Sequence, residues 1–232
     1  MSSPRSDDDA GRVRVAVRVR PLLPFETEGP KKARDCVTVV NNSLTMGAKQ
    51  YTFDHVYDTA SEQEEVYTGV VHPLVESCFE GFNGTVFAYG QTGSGKTHTM
   101  GTSSGGGDSE PGVLPRAIES IFKRVSTEVA TGKSSFSIKV SYIEVYTDIR
   151  DSGPMSKAKR ATEEVRDLLV FDTASGAPTR RGAFGVKSRI PEVTVRDDGK
   201  GGIKLDGVQE RTVESTEQAL GFLERYVRLV LA

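Results

Sequence analysis

The octapeptide Gly90, Gln91, Thr92, Gly93, Ser94, Gly95, Lys96, Thr97 constrains this chain more than any other feature, because it satisfies Gly-x4-Gly-Lys-Ser/Thr. Each element of the pattern has a physical reason. The glycines let the backbone curl until several N–H groups face one anion, a concavity that side chains would obstruct. Lys96 supplies the charge for β- and γ-phosphate oxygens, and the Thr97 hydroxyl supplies a ligand for Mg²⁺. The apolar run Thr85-Val-Phe-Ala-Tyr89 immediately before reads as a fully buried strand, and a short helix is expected from near Lys96. That helix would add its N-terminal partial charge. A glycine-rich turn could match the pattern by chance in a chain with 24 glycines, but chance rarely supplies the strand before it and the helix after it. The expectation is an α/β chain with a triphosphate cradle where that strand meets its helix.

The rest of the sequence narrows the setting. With 232 residues, 36% hydrophobic and 27% charged, the chain is long enough for one sizeable core. Thirty basic against thirty-two acidic residues, a formal charge of -2, offer no overall field for nucleic acid or an anionic membrane. Cys36 and Cys78 lack metal-ligand spacing, and His55, His72 and His98 are scattered. Residues 1–11 form a polar, acidic tail expected to be disordered, with no apolar leader, and no later stretch is long enough to span a bilayer. A cytoplasmic protein is expected. Val13, Val15, Val17 and Val19 alternate as a strand stopped by Pro21 and Pro24, and Tyr51 to Phe53 form a second short strand. Ser61 with Glu64 reads as a capping box for a helix through Val66, Val70, Leu74, Val75 and Phe79, kinked by Pro73. A surface loop over 102–112 precedes a helix over 114–129, then a long strand over 136–145 and a short helical stretch at 163–169. Residues 193–196 and 203–208 flank a hairpin turn, and Ser215 with Gln218 caps a last helix bearing Leu220, Leu223 and Val227. Asp198-Gly-Lys-Gly201 also fits the Asp-x-x-Gly pattern that GTPases use at the γ-phosphate, but its composition is that of a turn. No Asn-Lys-x-Asp motif for guanine occurs, so adenine is expected.

Around the loop the residues resemble the kinesin motor domain. Val15-Ala-Val-Arg18-Val-Arg20-Pro21 is similar to the family's first strand, and Tyr51-Thr-Phe53-Asp54-His-Val56-Tyr-Asp58 resembles its Phe-Asp-x-Val-Phe segment. The stretch from Gly81 to Met100 is almost unaltered family sequence. Gly112-Val-Leu-Pro115-Arg116, Ser141-Tyr-Ile-Glu144-Val-Tyr146, Val165-Arg-Asp167-Leu168-Leu169 and Gly201-Gly202-Ile203 follow in family order. The resemblance runs over about residues 12–224, and within the family it is similar to the kinesin-4 or chromokinesin group. It implies a three-layer P-loop NTPase fold, a mostly β central sheet flanked by helices. It also implies ATP and Mg²⁺ as cofactors, a microtubule-stimulated ATPase that moves along microtubules, tubulin as partner, and a place on the cytoskeleton. Arg18, Pro21 and His98 should border the adenine, with Gln91 to Thr97 on the phosphates and Mg²⁺. Without the resemblance, Arg18 would be a solvated strand residue, Pro21 a strand terminator and His98 a helix-surface histidine.

The pattern also breaks. The family's Asn-x-x-Ser-Ser-Arg-Ser-His and Asp-Leu-Ala-Gly switch loops do not occur in the 232 residues, so no catalytic residue is identified and hydrolysis by this chain is expected to be impaired. The expected domain is therefore a partial motor over 12–232, C-terminally truncated, without its dimerisation segment and with a weakened hold on microtubules. Residues 148–162 read as an atypical insertion and 225–232 as a divergent end, which an unspliced intron would explain together. The alternative function is a non-motor fragment that binds nucleotide or tubulin without turnover.

Overall fold

The computed structural model describes residues 12–28, 35–101, 110–132, 134–150, 160–170, 193–199 and 201–230, with the backbone alone for 146–150, 160–164 and 225–230. The expected tail over 1–11, residues 102–109 of the 102–112 loop, residues 151–159 of the 148–162 insertion, and the last two residues of the divergent end lie outside it. The chain divides into two compact units, Met1–Gly101 with Gly106–Ile121, and Thr102–Gly105 with Phe122–Ala232.

The first unit runs β1 (Ala16–Arg18), α1 (Pro24–Thr27), β2 (Val37–Val40), β3 (Ser43–Met46), β4 (Lys49–Thr52), β5 (His55–Tyr57), α2 (Gln63–Val66), a π-helical turn (Tyr67–Val71), α3 (His72–Phe79), α4 (Lys96–Met100) and the start of α5 (Val113–Ala130). β1 is shorter than its alternation suggests: Val13 and Val15 are exposed, and only Ala16–Arg18 pair, in parallel, with β5. Asp54 anchors that pairing by accepting from the Val15 N–H at 2.8 Å and from Arg12 at 2.5 Å. β2, β3 and β4 form an antiparallel meander, with Asn41 at φ 52° and Gly47 at φ 60° in its two tight turns.

The helix over 63–79 departs from expectation in two ways. Its cap is Glu62, whose N–H donates to Glu65 Oε2 at 3.1 Å, one residue later than the Ser61 and Glu64 pair. Its irregularity is a π turn, in which the His72 N–H reaches Tyr67 O, just before Pro73. Pro73 has no N–H to give, so a register slip that ends beside it costs little hydrogen bonding. Val66, Tyr67, Val71 and Val75 from this helix pack with Val113 of α5 as the core, joined by Tyr57, Val70, Phe79, Met100, Ala117 and Ile121. The Tyr67 hydroxyl donates to Ser120 Oγ at 2.6 Å.

The run over 85–89 is not the buried strand its composition suggests. No regular pairing includes it, and Phe87 and Tyr89 are 88% and 101% exposed. An apolar run is buried as a strand only when neighbours bond both of its edges, and no described strand lies beside this one.

The second unit holds the rest of α5, then β6 (Ile138–Val140), β7 (Ile143–Arg150), β8 (Arg160–Asp167), β9 (Thr194–Asp197), β10 (Ile203–Asp206), β11 (Arg211–Val213) and α6 (Thr216–Val230). The expected strand over 136–145 breaks at Ser141 and Tyr142 into β6, which pairs with β11, and β7, which pairs with β8. The helical stretch expected at 163–169 is strand over its first five residues and turn at Leu168 and Leu169, since Glu163 to Asp167 lie in register opposite Thr147 to Ile143. Pairing with β7 overrides the helix preference of Glu163 and Glu164. The same ladder takes in both ends of the 148–162 segment, with Asp148 opposite Thr162 and Arg150 opposite Arg160. β9 and β10 form the expected hairpin, and Asp198 sits in its turn, its Oδ1 accepting from the Gly202 N–H at 2.8 Å. Ser215 caps α6 as its spacing suggests, its Oγ accepting from the Gln218 N–H at 3.2 Å, while Gln218 Oε1 accepts from the Glu214 N–H at 2.9 Å, one residue before the expected partner. Among the described residues the strands form one three-stranded and four two-stranded sheets rather than one central sheet, and no helix is long and apolar enough to cross a membrane.

Candidate functional site

The candidate loop lies wholly in the first unit, and its shape depends on glycine. Gly93 and Gly95 hold φ of 82° and 99°, where a Cβ would strain the backbone. A Cβ on Gly90 would overlap Ser94 Oγ. The Ser94 N–H closes the turn onto Gln91 O at 3.1 Å. Lys96 then opens α4, which has only five residues before Gly101 turns left-handed at φ 75°. Gly101 lies so close to Gly112 that a Cβ on either would overlap the other's backbone. Lys96 Nζ folds back over the loop and donates to Gly90 O at 2.8 Å and Gln91 O at 2.9 Å.

β1 brings its own residues to the same place. Arg18, at its end, donates through Nη1 to Gln63 Oε1 at 2.6 Å and to Thr99 Oγ1 at 3.2 Å, and through Nη2 to Ser61 O at 3.1 Å. Burial draws the Arg18 guanidinium below its ordinary pKa, and the Glu110 carboxylate partly offsets this. Gln63 closes the network by donating to His98 O at 2.7 Å, with its nitrogen 3.5 Å from His98 Nδ1. Of the three residues assigned to the adenine side by resemblance, Arg18 and His98 are thus joined. Pro21 is exposed and stands outside that hydrogen-bond network.

Two residues of this region escape sequence reasoning. Gln63, 2% exposed, has no motif of its own, although a glutamine at the first turn of a helix with a buried face is a signal that packing could have revealed. Arg20 is the other. Its stem runs past Gly95, where a Cβ would stand 3.8 Å from Arg20 Cδ. Its Nη2 pairs with Glu26 Oε1 at 2.6 Å, while Nη1 is buried with no hydrogen-bond partner. A glycine-built curl with a lysine ammonium over it suits an anion such as a polyphosphate.

Comparison with known proteins gives the same family over both units. The model for "Kinesin motor domain" matches residues 14–227. Kinesin-like protein kif7 of Danio rerio is 39% identical over 223 residues, covering 91% of this chain and 13% of the relative. Chromosome-associated kinesin KIF4 of Xenopus laevis is 35% identical over 94% of this chain and 16% of the relative. Kinesin-like protein KIN-4C of Oryza sativa subsp. japonica is 38% identical over 92% of this chain and 15% of the relative. The chain therefore spans under a fifth of the length of these relatives. Because the match runs from β1 through the glycine-rich loop and on into α6, the chain belongs to the kinesin motor domain family.

Proposed function

We propose that this chain is the ATP-binding portion of a microtubule-based motor, with Gly90, Gln91, Thr92, Gly93, Ser94, Gly95, Lys96 and Thr97 on the phosphates and Arg18, Pro21 and His98 beside the adenine. The observation that carries the proposal is the glycine-dependent curl with Lys96 Nζ folded over it, joined within one unit to Arg18 and His98. Bound Mg²⁺, taken by the Thr97 hydroxyl and phosphate oxygens, would supply charge neutralisation. The chain's own residues bind and orient: backbone amides and Lys96 hold the polyphosphate, and Arg18 fixes the base side. The architecture proposed for the whole motor is three-layer, a mostly β sheet between helices, in which 12–232 form part of the domain and 148–162 an insertion.

The alternative reading, a fragment that binds nucleotide or tubulin without turnover, concerns these 232 residues alone, among which neither switch motif occurs. Positioned switch groups supply most of the catalysis in phosphoryl transfer, so we infer that the chain by itself binds ATP·Mg better than it cleaves it. Equilibrium binding of ATP and GTP to the purified chain, with Lys96→Ala as control, tests the site. ATP preferred over GTP and lost in the variant is the expected result, and indifference to Lys96 would refute the assignment. Phosphate release with and without microtubules separates the two readings, because strong stimulation excludes the inert one.

A further inference from the structure

The side chain of Gln63 is buried at 2% exposure between β1 and α4, yet neither the loop motif nor the family resemblance gave it a role. Its two polar atoms are used in opposite senses. Oε1 accepts from Arg18 Nη1 at 2.6 Å, and Nε2 donates to His98 O at 2.7 Å. An arginine can only donate and a carbonyl can only accept, so a single amide orientation satisfies both, and no apolar or singly functional side chain of that length could replace it. The second amide hydrogen faces His98 Nδ1 at 3.5 Å. Gln63 is therefore the sole residue among those described that bonds both Arg18 and His98, and its own backbone is fixed by the capped start of α2.

We propose that Gln63 is the positioning residue of the base side: its buried amide sets the spacing of Arg18 and His98, and through them the preference for an adenine nucleotide over a base-free polyphosphate. The inference rests on the nucleotide reading above and names the residue that carries base selectivity within it. Lys96 and the loop amides lie outside the amide's contacts, so polyphosphate affinity should survive its loss. A leucine at 63 keeps the volume and removes both bonds. A glutamate keeps the acceptor for Arg18 and, when ionised, turns an oxygen toward the His98 carbonyl. The glutamate variant is close to isosteric and guards against a leucine variant that fails to fold.

The test is calorimetric titration of the full chain with Mg·ATP and, separately, with Mg·tripolyphosphate, for wild type, Gln63→Leu and Gln63→Glu. The ratio of ATP to tripolyphosphate affinity should fall about tenfold in each folded variant, with tripolyphosphate affinity held within about twofold. A ratio unchanged in either folded variant, or both ligands weakened by one common factor, overturns the proposal and leaves Gln63 a packing residue. A wild-type chain that binds neither ligand instead refutes the phosphate-loop reading itself.

Discussion

Lys96 holds two of its three donors against carbonyls of its own loop, Gly90 O and Gln91 O. A polyphosphate would take over those donors, exchanging neutral acceptors for charged ones, which makes stronger bonds. Lys96→Ala is accordingly expected to weaken ATP about 10- to 100-fold in an equilibrium titration. Gly95→Ala, forced to hold φ 99°, should weaken ATP and cost about 1–2 kcal/mol in denaturant melts, and an unchanged melt would show that the loop relaxes instead. Acid should act elsewhere. The Val15 N–H, and after it Arg12, hold the Asp54 carboxyl below its ordinary pKa against a partial desolvation penalty. A depressed carboxylate contributes stability that is complete above the ordinary carboxylate range and lost as pH falls through the lower folded value. Thermal melts of wild type should therefore converge on those of Asp54→Asn only on the acid side. At this scale the glycine-dependent curl and the start of α4 at Lys96 were legible, because their causes are local. Gln63 was not, because its role depends on β1 and α4 arriving from elsewhere in the chain.

Elements were legible where their causes are local and lost where they depend on partners. α6 carries both its caps and its apolar period in its own sequence, and α5 is found within one residue of expectation at each end. β2 and β3 went unseen although Asn41 and Asn42, set between Val39 and Leu44, form the kind of two-residue turn that signals a hairpin. β8 and the run over 85–89 fail in opposite directions, the first acquiring a partner strand that Glu163 and Glu164 did not announce and the second lacking one. The π turn is a further case, since Gly69 is what lets it approach β5: a Cβ there would overlap the Tyr57 hydroxyl. Gly69→Ala should destabilise the chain by about 1–3 kcal/mol in denaturant melts, and Tyr57→Phe in the same chain should recover part of that loss. Simple additivity of the two substitutions would show that they do not meet.

For the whole molecule, family membership was the easiest conclusion, because matched segments in the right order survive any error in a single element. The architecture was harder, since a central sheet requires strands distant in sequence to meet, and the described strands meet only in pairs or threes. Exposed Phe82, Phe87 and Tyr89 on one short run predict that the purified chain self-associates as its concentration rises. Phe87→Lys should shift the light-scattering onset upward, and an onset that does not move would clear this segment of blame. The contact between Gly101 and Gly112 has a different use. Where two backbones already touch, doubling the length of chain that joins them costs only about 0.6 kcal/mol. A reporter peptide could be spliced in between these glycines, a few residues from Lys96, to signal ligand arrival while the core around Val113 keeps its packing.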